Sequence, residues 1–176
     1  LKRGQKKDIP LFEKAQEAYT NLMNLPSKES IPEGYYERKK YHINNLKSLI
    51  LANIHAVSEK FARKLVFEQE ILNGLSDMIM HVYVTESSML RLQKMESMKD
   101  SESMKLYKDI LDVSVFDACG VAAQAGREVA NCFAEGDELD RFLKAVSVLT
   151  DSEKVNTKDA RRRIADHLIA ENKYDF

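Results

Sequence analysis

From Leu65 to Lys94 the chain reads LVFEQEILNGLSDMIMHVYVTESSMLRLQK, and from Ile71 onward large or β-branched side chains return at steps of four and three: Ile71, Leu75, Met78, Val82, Thr85, Met89, Leu92. That spacing predicts one stripe of an α-helix. A second stripe, through Leu72, Ile79, Tyr83, Glu86 and Leu90, runs beside it. The two stripes together cover more than half the circumference, so this helix is expected to have neighbours on two or more sides. At 1.5 Å per residue it would reach about 40 Å, enough to be the inner member of an antiparallel bundle.

The same period predicts further helices on either side. Ile9 precedes a proline and resists the helical conformation, whereas Pro10 suits a first helical position. A helix is expected from there to about Leu25, facing inward with Leu11, Phe12, Ala15, Ala18, Tyr19, Leu22 and Met23 and stopped by Pro26. Turn formers concentrate in PSKESIPEG, residues 26–34. The next helix is expected from Tyr35 to Arg63 or Leu65, with Tyr36, Ile43, Leu46, Ile50, Ile54, Val57 and Phe61 inward and Arg38, Lys39, Lys40, Lys47 and Lys60 outward. A break is expected at Val66 to Glu68.

Beyond Lys94, Asp100 and Ser101 are candidate N-caps for a helix over Glu102 to Ala134 that presents Leu106, Ile110, Val113, Val121, Val129, Cys132 and Phe133. Its small residues, Ala118 to Ala125, let a neighbouring backbone come close. Gly136 suits the position past that helix and Asp137 the cap of the next, which runs to Leu149 with Leu139, Phe142, Leu143, Val146 and Leu149 inward. Asn156 or Thr157 is expected to cap a last helix to Asn172, with Ile164, Ala165, Leu168 and Ile169 on one face. Arg161, Arg162 and Arg163 are expected to pair within that helix with Asp159 and Asp166. The aromatics of Tyr174-Asp175-Phe176 would anchor the end. No alternating strand pattern and no internal repeat is visible, so the fold class is all-α: a mostly antiparallel bundle of about six helices in one domain over residues 1–176.

Composition narrows the partners. Lys plus Arg number 27 against 28 Asp plus Glu, a net charge of −1, so no global field attracts nucleic acid or an anionic membrane. No window is long and apolar enough for a membrane span, and a cytoplasmic location is expected. The chain begins with Leu1 rather than Met, the pattern of a fragment or a processed product. Cys119 and Cys132 fall 13 residues apart in one expected helix, too far to bridge each other, and both read as buried free thiols.

Candidate chemistry is sparse. No GxGxxG, GxxxxGK[ST], CxxC or GxSxG is present. The Glu-x-x-His pairs of a carboxylate-bridged metal site in a helical bundle are missing too; Asp77 and His81, four apart, fit an intrahelical hydrogen bond better. His42, His55 and His167 stand at unrelated spacings. Asp77, Glu86 and Asp117 fall where the pattern is otherwise apolar, which makes them acid–base candidates if they converge and bundle ion pairs if they do not.

Several segments resemble the far C-terminal region of acyl-CoA dehydrogenases, in particular long bacterial forms related to the very-long-chain enzymes: LKRGQKKDIPLF, NLKSLILANIHAVSEKF, EQEILNGLSDMIMHVYVTESSMLRLQK, AEGDEL and VNTKDARRRIADHLIAENKYDF. The resemblance implies a flavoenzyme parent that oxidises acyl-CoA to the 2,3-enoyl thioester in fatty-acid oxidation, with a carboxylate taking the α-proton and FAD accepting the β-hydride. The family's catalytic glutamate, in an EGTNEINR-like stretch, and its FAD-binding and acyl-binding segments would lie upstream of Leu1. Glu135-Gly136 is not that motif, since Asp137 replaces its threonine. No catalytic, cofactor-binding or metal residue is therefore assigned to this chain. The implied role is structural: packing on the upstream dehydrogenase core and within a homo-oligomer, with FAD in the parent and neither nucleic acid nor a membrane as partner. The alternative is a stand-alone helical adaptor, which would have a self-contained polar exterior.

Overall fold

The computed structural model describes residues 10–24, 30–98 and 101–173, with side chains from Met104 onward in the last of these stretches. Among the described residues the chain forms α1 (Leu11–Met23), α2 (Tyr35–Phe61), a 3-10 segment (Ala62–Phe67), α3 (Gln69–Met95), α4 (Ser101–Phe133), α5 (Gly136–Leu149) and α6 (Thr157–Glu171), and no strand. The expected lead-in Leu1 to Lys7, the stop at Pro26, the cap at Asp100 and the anchor at Tyr174-Asp175-Phe176 fall outside the described residues.

Cross-helix contacts give the directions. Between α3 and α4, a Cβ on Gly74 would lie 3.1 Å from Val129 Cγ2, whereas Thr85 Oγ1 lies 2.8 Å from Ser114 Oγ. One partner's number falls as the other's rises, so the pair is antiparallel. The α4–α5 and α4–α6 pairs run the same way, through Phe133 with Phe142 and Gly126 with Val146 in the first, and Arg161 with Asp117 and Arg163 with Asp109 in the second. Only α2 runs parallel to α4, touching it through Lys39 with Asp112 and Leu49 with Gly126. The all-α, mostly antiparallel bundle is the one predicted.

Its centre is not. The buried residues of α3 are Ile71, Leu75, Met78, Val82, Thr85, Met89 and Leu92, the predicted first stripe without exception. The second stripe faces outward: Ile79 is 45%, Tyr83 71% and Leu90 57% exposed. The inner helices are α4, which packs on α2, α3, α5 and α6, and α2, which packs on α1, α3, α4 and α5. Small side chains explain the exchange. Ala118, Ala122, Ala125, Gly126 and Ala130 are buried on α4, and they let neighbouring helices approach it from several sides. A helix with bulky residues all round cannot do this.

Misreading α4 by large residues also shifts its predicted face. Val129 and Phe133 are buried as predicted, but Leu106, Ile110, Val113 and Val121 are only half-buried, and Met104, Leu111, Val115 and Ala118 carry the core there. Cys119 is buried as expected, but Cys132 is exposed, its thiol donating to the Glu128 carbonyl at 3.2 Å. The α2–α3 break comes earlier than predicted, at Ala62, whose φ of 46° ends α2. Gly136 does take a left-handed φ of 55°, yet it opens α5 with Glu135 as the N-cap, so Asp137 lies in the first turn and is not the cap. Pro10 likewise caps α1 from outside instead of opening it. On α6, Asn156 caps as predicted by accepting from the Asp159 amide, but Ala165 and Ile169 are exposed and Ala160 is the buried residue.

Candidate functional site

The acids singled out by pattern do not converge. Asp77 is exposed, and among the described residues no hydrogen bond joins it to His81. Glu86 pairs with Lys47 across α2 and α3, and Asp117 pairs with Arg161 of α6 at 2.6 Å. Arg163 makes a two-pronged bond to Asp109 at 2.7 and 2.6 Å. Arg161 and Arg163 therefore bind across to α4, which corrects the expectation of pairs within their own helix, and Arg162 is exposed. Among the described residues no group of three or more His, Cys, Asp and Glu is placed to hold a metal ion.

Chemistry gathers elsewhere, at residues that helical spacing puts on one face of α2. Tyr35, Arg38, Lys39 and His42 follow one another at i, i+3, i+4 and i+7. Gly34, extended, starts the helix and so aims this face at α4 and at the segment between α5 and α6. Lys39, expected outside, is 1% exposed. Its ammonium lies 2.8 Å from Asp112 Oδ1 and 3.0 Å from Glu153 Oε2, and 5.0 Å from the centre of the Tyr35 ring. The Tyr35 hydroxyl donates to Asp112 Oδ1 at 2.9 Å and also lies 3.2 Å from the Lys108 carbonyl oxygen. Arg38 reaches Glu153 Oε2 at 3.6 Å. Two cations thus meet two carboxylates, and burying the set is tolerable because the charges are matched and hydrogen-bonded.

His42 and Cys119 adjoin this centre. Both ring nitrogens of His42 are buried without a hydrogen bond, although Nε2 stands 3.7 Å from Glu153 Oε1, itself unbonded. Burial, only partly opposed by the Glu153 carboxylate and reinforced by Lys39, holds the imidazole below its ordinary value of 6.5. Burial first, then the charges of Glu153 and Asp151, pushes the Cys119 thiol up to about 12, so it is an inert packing group. Burial and then Asp112 raise the Tyr35 hydroxyl in the same way. The arrangement has matched charges, each cation held against a carboxylate. It acts as a clamp joining α2, α4 and the α5–α6 segment.

The depressed imidazole makes the fold pH-sensitive. Below the unfolded value of 6.5 the unfolded chain binds a proton that the folded chain refuses. Stability is therefore fully present above that pH and falls as the pH drops toward the lower folded value. The variant His42→Gln is expected to flatten the dependence of unfolding free energy on pH below the unfolded value of 6.5. Urea denaturation at a series of pH values measures this, and an unchanged slope would rule out His42 as its source.

Two surface features remain. A groove of ≈ 500 Å³ runs between α3, α4 and α6, walled by Met95, Ile110, Ile164 and Leu168, with Arg91 as the cation in its lining. Along α3 the apolar side chains of Ile79, Met80, Tyr83, Val84 and Leu90 stand exposed, each at 45% or more. No described helix is long and apolar enough to cross a membrane.

Periodicity places Lys39 four residues before Ile43, on the stripe that continues through Leu46 and Leu49, and this was the signal for its burial. Its partners Asp112 and Glu153 come from distant parts of the chain, and no local pattern marks them.

Comparison with known proteins gives one consistent result. The chain is 29% identical over 174 residues to a probable acyl-CoA dehydrogenase of Bacillus subtilis (strain 168), covering 99% of this chain and 29% of that protein. The crystal structure of an acyl-CoA dehydrogenase complexed with FAD from Bacillus anthracis superposes with a TM-score of 0.89 at 25% identity, over 99% of this chain and 29% of that one. The chain thus spans less than a third of the length of the relatives it matches. The family description "Acyl-CoA dehydrogenase, C-terminal domain" matches residues 45–147, more than half of the 176, and the chain belongs to that family.

Proposed function

We propose that the chain is a single, non-catalytic C-terminal domain of an FAD-dependent acyl-CoA dehydrogenase. The parent would oxidise acyl-CoA to 2,3-enoyl-CoA in the cytoplasm, and this domain would pack on the dehydrogenase core and within a homo-oligomer. The observation that carries the reading is the exposed apolar face of α3. A self-contained adaptor would cover such a surface with polar side chains, whereas a domain that docks has one to bury. The relatives support the same assignment, since the chain aligns end to end with less than a third of each.

The residues here do not fit a flavin dinucleotide. Binding its pyrophosphate calls for converging donors such as a glycine-rich turn at a helix start. The groove of ≈ 500 Å³ offers one arginine among apolar walls, and the Lys39 ammonium of the clamp is already taken up by Asp112 and Glu153. No catalytic step is assigned to this chain.

The test is to compare the full-length enzyme with one ending just before Leu1. Removing the domain is expected to reduce oligomer mass and thermal stability while the core still binds FAD. Flavin binding or acyl-CoA oxidation by the 176-residue chain alone, or an unchanged assembly without it, would overturn the reading.

A further inference from the structure

We propose that the exposed face of α3 is self-complementary: two copies of this chain pair antiparallel, α3 against α3, about a twofold axis close to Val84. The inference rests on the docking reading above and names what covers the face.

Met80, Val84, Ser87 and Arg91 recur at i, i+4, i+7 and i+11 and share one exposed face with Asn73 and Asp77, flanked by Tyr83. Its middle is apolar, with Met80 56%, Tyr83 71% and Val84 57% exposed. Its ends carry opposite charge: Glu70 and Asp77 lie toward the N-terminus, Arg91 and Lys94 toward the C-terminus, all exposed. Among the described residues none of these four has an ionic partner, whereas Glu86, Asp109, Asp112 and Asp117 each do. These α3 charges are among those left unmatched within the described residues.

The polarity selects the direction. Parallel pairing would set Asp77 against Asp77 and Arg91 against Arg91, which repel. In the antiparallel arrangement residues equally far from the axis meet. Asp77 lies seven residues before Val84 and Arg91 seven after it. Each Asp77 therefore meets Arg91 of the other copy, twice in the dimer, while the central Val84 packs on its counterpart with Tyr83 beside it. Such a twofold contact closes on itself, as an isologous interface must.

The experiment is sedimentation equilibrium of the 176-residue chain across a concentration series. The wild type is expected to dimerise. Arg91→Asp and Asp77→Arg, each on the exposed face, are expected to weaken the dimer about ten-fold, because each replaces two attractions with two repulsions. The double variant carrying both changes is expected to recover the wild-type affinity. A double variant as weak as either single one would overturn the proposal, as would a chain that stays monomeric at several hundred micromolar. If that monomer binds the dehydrogenase core and the same single variants abolish the binding, the core covers α3 and only the self-pairing fails. If it binds neither, the docking reading fails with it.

Discussion

Lys39→Ala is expected to destabilise the fold by about 3–5 kcal/mol, the cost of removing one partner from a buried ion pair. The ammonium sits between Asp112 and Glu153, whose side chains are only 24% and 17% exposed. Without it Asp112 retains the Tyr35 hydroxyl and Glu153 retains Arg38 at 3.6 Å, and neither replaces a direct contact to a buried cation. Partial hydration of the two acids places the loss toward the lower end of that range. Lys39→Met keeps most of the volume and leaves the same carboxylates unmatched, so it should lose nearly as much. Combining Lys39→Met with Asp112→Asn and Glu153→Gln removes the orphaned charge and should recover most of the stability. Urea denaturation measures both as a shift of midpoint at constant slope. A change of less than about 1 kcal/mol for Lys39→Ala would mean that the centre is as well hydrated as a surface pair.

Phe142→Ala is expected to cost about 3–5 kcal/mol for a different reason, the cavity it leaves. The ring is 0% exposed. It stands edge-on to Phe133 of α4, with centroids 5.0 Å apart, and tilted against Tyr19 of α1 at 6.1 Å. One side chain thus holds three helices, and α1 keeps few other ties to α5, among them the Tyr19 hydroxyl donating to Glu138 at 2.8 Å. Phe142→Leu refills most of the space and should lose less than half as much. Thermal melts of the two variants check the ratio; equal losses would place the effect in the aromatic contacts and not in the packing.

Legibility in the sequence depended on how burial was encoded. The core stripe of α3 uses large side chains at helical spacing, and it could be read position by position. The core of α4 uses Ala118, Ala122 and Ala125, whose burial reflects close approach by neighbours and hardly registers in a hydrophobic pattern. Outer and inner helix were exchanged for that reason. The clamp was missed because Lys39 was classed by its charge, although its position on the α2 stripe was apparent. The partners of Arg161 and Arg163 are 44 and 54 residues away along the chain. Local reading offered Asp159 and Asp166 in their place, since only tertiary structure brings the acids of α4 near. The family resemblance depended on none of this, resting on whole segments that bundle patterning leaves free.

The attachment of α6 has a consequence for the motions of the native state. This helix buries Ala160 alone and is fastened to α4 largely by Arg161 with Asp117 and Arg163 with Asp109, pairs in which the arginines are half-exposed. Contacts of that kind weaken with ionic strength. Release of α6 is therefore expected to need less free energy than global unfolding, and its amide hydrogens to exchange with solvent before those of α2 or α4. Since Ile164 and Leu168 form one wall of the groove against α3 and α4, raising the salt concentration is expected to widen that groove more often.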